Sequence, residues 1–221
     1  MPNVVVKENH LTFGGVAYFR GHAEEIELGS YGEIRKPFKS ADYLEVQDKI
    51  VLDETKIKSP VITEIDFEKT SKTDLKLGVT ALIEGVPVKL DGSASFQKMR
   101  SGELKLVKFS IDNKDMRDIV NKLPETLDFM KNLGKDARIA HQVFIVMEAK
   151  LANSFVRGVD VKLSAGVDGI EADLGVAWSA DGKTKVVLSK NSCFAYLVAK
   201  IQWNKDKTSI NLLRNDQWGV S

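Results

Sequence analysis

A single cysteine, Cys193, is the whole thiol content of these 221 residues. An intrachain disulfide is therefore excluded, and the usage fits a reducing compartment. The three histidines, His10, His22 and His141, are scattered along the chain. No cysteine or carboxylate stands at the spacing of a ligand motif, so they read as surface or core histidines and no metal is expected. Long apolar runs are missing too. The longest is VFIVM at 143–147, far below the roughly 20 residues that span a bilayer as a helix. The opening MPNVVVKENH has no basic leader followed by an apolar core, so no secretory signal is expected and the default location is the cytoplasm. Charge of one sign is also absent, with 32 Lys and Arg against 31 Asp and Glu. No global basic footprint points to nucleic acid.

Catalytic motifs are equally scarce. DGKT at 181–184 imitates the end of a phosphate-binding loop, but the required glycine five positions before Gly182 is Ala177. The segment also leads into a strand rather than a helix, so the match fails twice. GSYG at 29–32 is one residue short of a nucleophile elbow. Cys193 lies in an apolar stretch with no neighbouring base, which reads as a packed thiol. No cofactor and no enzymatic activity are expected.

What the chain does have is folded composition, 43% hydrophobic and 29% charged, and two kinds of periodicity. Short β-prone pieces occupy the first seventy residues: Asn3–Val6, Thr12–Phe19, Lys49–Leu52 and Pro60–Phe67. SADYLEVQDKI at 40–50 reads as a short helix capped by Ser40. A strand is expected at 103–111. Over 113–133, Met116, Ile119, Val120, Leu123, Leu127 and Met130 recur at helical spacing after Asp112 or Asn113 as cap. Pro124 should split this stretch into two helices, the second ending at Gly134. ARIAHQVFIVMEAKL (137–151) is apolar on both faces, as a central strand is. TKVVLS (184–189) and CFAYLVAKIQW (193–203) read as paired strands, and TSINLLR (208–214) as a last strand. The class is α+β: one domain over 1–221, a twisted, mostly antiparallel sheet with a small helical middle segment and two long amphipathic hairpins.

Those hairpins carry the functional question. In 74–98, Leu75, Leu77, Val79, Ala81 and Ile83 alternate up to Glu84-Gly85, and Val86, Val88, Leu90 and Phe96 continue beyond it. Pro87 and the glycines suit an edge strand or a mobile region. In 156–180, Val159, Val161, Leu163 and Val167 precede Asp168-Gly169, and Ile170, Leu174, Val176 and Trp178 follow it. Two uses fit such stripes. The apolar face lies on a core, the reading favoured by periodicity alone, or it meets lipid after rearrangement. Each strand has roughly the 9–11 residues that cross a bilayer, and only closure of several subunits into a ring would leave no unpaired backbone in the membrane. A local basic cluster of Arg35, Lys36 and Lys39 is a candidate for acidic lipid headgroups, with a solvated loop as the plainer reading.

The order hairpin, strand, helices, buried strand, hairpin, strands is similar to the pore-forming domain of the gasdermins. ELKLVKFSIDNKDMRDIV (103–120) resembles that family's strand leading into its middle helices. ARIAHQVFIVMEAKL (137–151) resembles its central strand, and KTKVVLSKNSCFAYLVAKIQW (183–203) its strand, Ser-containing turn and Ala-rich strand. KPFKSADYLEV (36–46) is more loosely similar to a proline-containing stretch before a leucine-rich segment. The likeness covers about 70–215 and is weak over 1–70. It implies a monomer in solution that binds acidic membrane lipids, assembles into a homo-oligomeric ring and inserts both hairpins, in cell death or defence, after activation by a protease or release from an inhibitory partner. No inhibitory domain follows in this sequence. The final segment, 204–221, is either a restraint of the kind found in compact microbial members or the last strand of the fold. A non-inserting module of the same fold, partnering a related pore-former, is the alternative.

Overall fold

The computed structural model describes residues 3–52, 54–75, 79–84, 86–157, 161–164, 176–178, 184–187 and 191–220. It opens with β1 (Asn3–Val6), β2 (His10–Phe13) and β3 (Val16–Phe19). The single piece expected over Thr12–Phe19 is thus parts of two strands. Gly14 and Gly15 both take positive φ, 57° and 80°, and place Phe13 opposite Val16 in a two-residue hairpin. β4 (Ser30–Arg35) and β5 (Tyr43–Lys49) follow as an antiparallel pair. The helix expected over 40–50 is therefore a strand, and Lys49–Leu52 lies mostly past its end. Leu44 is fully buried and its N–H donates to the Tyr196 hydroxyl at 2.8 Å. Partners distant in sequence override the local signal here.

Next come β6 (Val61–Ile65), β7 (Val79–Ile83), β8 (Val86–Leu90), α1 (Gly92–Ser101) and β9 (Leu104–Ser110). The helical middle is α2 (Asn113–Val120) and α3 (Pro124–Leu133), with Asp112 at the first cap, Pro124 opening the second helix and Gly134 closing it. These bounds match the spacing. β10 (Ala137–Glu148) is the long strand that was apolar on both faces, and it is buried along nearly its whole length. It stops three residues short of Leu151, because α4 (Ala149–Arg157) turns Leu151, Ala152 and Phe155 onto one buried face. β11 (Val161–Ser164), β12 (Val176–Trp178), β13 (Thr184–Val187), β14 (Cys193–Trp203) and β15 (Ile210–Asp216) complete the order.

The sheet closes on itself. β14, β3, β2, β1, β6, β9 and β10 are successive neighbours, and β10 returns to β14. All pairs in this ring are antiparallel except β1 with β6. The α+β, mostly antiparallel class stands, as a barrel with strands branching from it. Alternate residues of the ring, including Val4, Leu11, Tyr18, Leu106, Phe144 and Leu197, form one apolar cluster with Leu75, Val79 and Met99. The opposite faces, with Val107, Val143, Tyr196 and Val198, pack under α2, α3 and α4. β15 extends the sheet from β14, and α2 covers its outer side. Asn121 donates to the Ile210 carbonyl at 3.0 Å and accepts its N–H at 2.8 Å.

Two pairings differ from expectation. Among the described residues, β13 does not pair with β14. It lies between β11 and β12 in a separate three-stranded sheet, parallel to the first and antiparallel to the second. β11 and β12 are therefore not neighbours, as a hairpin turning at Asp168-Gly169 would require. The chain from Trp178 to Thr184 is shorter than that from Ser164 to Val176, so β12 meets β13 at a smaller loop-closure cost. The turn residues Asp168 and Gly169 themselves lie outside the described residues.

Candidate functional site

The first amphipathic segment divides between two elements. β7 and β8 pair with Val79 opposite Leu90 and Ile83 opposite Val86; Gly85 of the expected turn lies outside the described residues. Glu84 supplies a positive φ of 52°. The expected second strand over 86–96 ends at Leu90. Asp91 then caps α1, accepting the N–H groups of Ser93 and Ala94 at 2.8 Å. Phe96 consequently sits on a helix, edge-to-face with Phe67 at 5.4 Å. Gly102, with φ 83°, ends that helix.

Burial along this segment is two-sided at its centre. Leu75, Val79 and Ala81 join the barrel's inner cluster, while Leu82, on the face that alternation assigns to solvent, is fully buried in the outer one. Ile83, Val88 and Leu90 are half-buried, and Val86 is 45% exposed. Pro87 lies in β8, which among the described residues is the outer, edge strand of this branch, a place where proline's missing N–H is tolerated. Leu77 lies outside the described residues. In the second segment, Val161 and Leu163 belong to β11, and Val176 and Trp178 to β12. Val159, Val167, Ile170 and Leu174 lie outside the described residues.

The two segments stand differently to the barrel. β7 runs parallel to β10 beside Val146 and Met147, and the chain leaves β10 at Glu148 through α4 toward β11. The described strands of both stripes thus lie outside the closed ring of the barrel, a placement that periodicity has no means of indicating.

The basic cluster sits at the tip of the β4–β5 hairpin. Arg35 is already engaged: its guanidinium lies 2.9 Å from Glu33 and 2.6 Å from Glu45. The hydrogen bond to Glu45 raises its pKa further. Lys36 and Lys39 are exposed and flank Phe38, which is 98% exposed. Arg35, Lys36, Pro37, Tyr43 and Asp136 line an open depression of about 450 Å³ beside the tip. Phe38 is the residue the charge pattern passed over. An aromatic ring between two lysines is the signal that marks it.

Other reactive groups are accounted for by packing. The Cys193 thiol is buried, burial pushes its pKa up, and its sulfur donates to the Ala195 carbonyl at 3.3 Å. Contrary to the spacing argument, His22, Glu24 and Glu25 do bring ligand atoms within 4.8 Å of one another. All three are exposed, and His22 stacks on Tyr43 at 4.2 Å. Among the described residues, no helix is long and apolar enough to cross a membrane. Compared with known proteins, no family model matches the chain, and no significant match appears among curated proteins or solved structures.

Proposed function

We propose that this protein permeabilises membranes by docking on acidic lipid, assembling into a ring and inserting its two amphipathic segments, in the manner of the gasdermin pore-forming domain its sequence resembles. The observation that carries the reading is that the described strands of both stripes lie outside the barrel's closed ring, β7 and β8 as a branch from β10 and β11 and β12 in a separate sheet. Segments outside the ring can leave it, refold as hairpins and join a continuous sheet with those of neighbouring subunits, as a closed transmembrane barrel requires. The Lys36–Phe38–Lys39 tip supplies a first contact, cations for headgroups and a ring for the interface. Releasing Val79, Ala81 and Leu82 removes contacts worth about 1.5–3 kcal/mol for each large aliphatic side chain. Lipid must replace the core they leave.

The buried state of β7 also favours a second reading, a non-inserting module whose stripes are permanent core and which works through an inhibitory or partner contact. Substituting Leu163→Asp separates the two, with Lys162→Asp as control. Under insertion, an acidic residue on the lipid face costs on the order of 2 kcal/mol per subunit. Dye release from acidic liposomes should then stop while the melting temperature stays near wild type. Under permanent core packing, a buried carboxylate lowers the fold's stability by several kcal/mol, so early melting is expected. No release by the wild-type protein from acidic or neutral liposomes, even after limited proteolysis, would sink the permeabilising reading.

A further inference from the structure

We infer that Lys7 and Arg20 form a clasp that holds the chain entering β7, and so set how readily the β7–β8 hairpin leaves the barrel. The entry segment, residues 69–75, belongs to no helix or strand, and its anchors are the Val6 backbone and the side chains of Lys7 and Arg20, just past the ends of β1 and β3. The Thr70 hydroxyl accepts the buried Val6 N–H at 3.0 Å. The Lys7 ammonium donates to the Lys69 carbonyl at 2.7 Å and lies 3.5 Å from the Asp74 carboxylate. Arg20 donates to the carbonyls of both Lys7 and Asp74 at 2.5 Å, with its guanidinium 4.4 Å over the Phe194 ring. Asp74 in turn accepts the Ser71 N–H and hydroxyl at 2.9 and 2.8 Å, which fixes the turn that presents its carbonyl to Arg20. Leu75, the next residue, is fully buried.

Two features make this a control point. The clasp consists of charge-assisted bonds, among the stronger single contacts a polar group makes. Beyond it, among the described residues, β7 is registered against β10 at two positions, Ala81 with Val146 and Leu82 with Met147, so few ladder bonds there hold the hairpin once its entry is free. Arg20 is also only partly satisfied. Its Nε is buried without a partner, and its Nη1 bridges the Lys7 carbonyl to the Asp74 carbonyl of the entry segment.

The clasp can be tested without a membrane; its effect on leakage alone rests on the permeabilising function proposed above. Lys7→Gln, Arg20→Gln and the charge control Lys114→Gln are compared with wild type by amide hydrogen exchange. Loss of a charge-assisted bond should speed exchange of the Val79–Ile83 amides about tenfold or more, with β10 amides unchanged. Arg20→Lys should recover part of the effect. Lys7 is exposed enough for its variant to fold, so it decides the matter if Arg20→Gln does not. Unchanged β7 exchange in Lys7→Gln, or acceleration only together with β10, overturns the clasp. On acidic liposomes, faster dye release by the clasp variants is expected. Faster exchange with no release by any of these proteins leaves the clasp standing and counts against the permeabilising function. Release by every protein at the wild-type rate, with unchanged exchange, does the reverse.

Discussion

His141 stands at the β-bulge where the β10–β14 register shifts between Ala140 and Gln142. Burial lowers its pKa from 6.5 to about 4, opposed next by the hydrogen bond to the Ile111 carbonyl, with a further lowering by Lys108 and a raising by Asp112. The folded value lies below the unfolded one, so the native state binds fewer protons. Stability is fully present above pH 6.5 and is lost as pH falls from there toward 4. The expected loss is about 1.4 kcal/mol per pH unit, or about 3 kcal/mol over the window. Denaturant midpoints measured across that range should show this slope, and His141→Gln should flatten it by about one proton. His10, also lowered by burial and then by Lys7 and Arg20, should leave a residual slope of the same sign in the variant.

Among the elements, the β4–β5 hairpin depends on one small residue. A Cβ at Gly32 would overlap the Glu45 carbonyl on the facing strand, at a register shift between Tyr31 and Gly32. Gly32→Ala should therefore lower stability by about 3 kcal/mol or more, whereas Ile34→Val next along the strand should cost about 1 kcal/mol. Thermal melts of the two variants provide the comparison. Several elements were legible without coordinates. α2 and α3 were, because Met116, Val120, Leu127 and Met130 follow helical spacing and Pro124 and Gly134 punctuate it. β10 was, because residues buried on both faces need be apolar on both. α1 was hidden because Ala94 and Phe96 also satisfy an alternation, although Asp91 as cap and Ser95 with Met99 one turn apart were there to be read. The candidate site was half legible: alternation marked the stripes and the Glu84-Gly85 turn, and missed Leu82's burial and Phe38's exposure.

For the whole molecule, the seam where β10 meets β14 joins the two longest strands among the described residues and closes the barrel. Arg138 on β10 reaches past it to Asp216 on β15 at 2.5 Å, with only 6% and 18% of the two side chains exposed. Removing Asp216 leaves a buried guanidinium partnered only by the Lys135 and Ala137 carbonyls. Asp216→Ala should cost about 3–5 kcal/mol, and adding Arg138→Met should return part of that. A double-mutant cycle in denaturant measures both. By itself, the sequence determined the class, the helical middle, the central strand and the two amphipathic stripes, since each depends on spacing within about a dozen neighbouring residues. Only the tertiary structure decided that the sheet closes, that β13 separates β11 from β12, and that Lys7 and Arg20 reach the entry to β7. Alternation specifies which face of a strand is apolar but not which strand lies beside it. Partner choice is settled by loop closure and by packing between residues far apart in the chain.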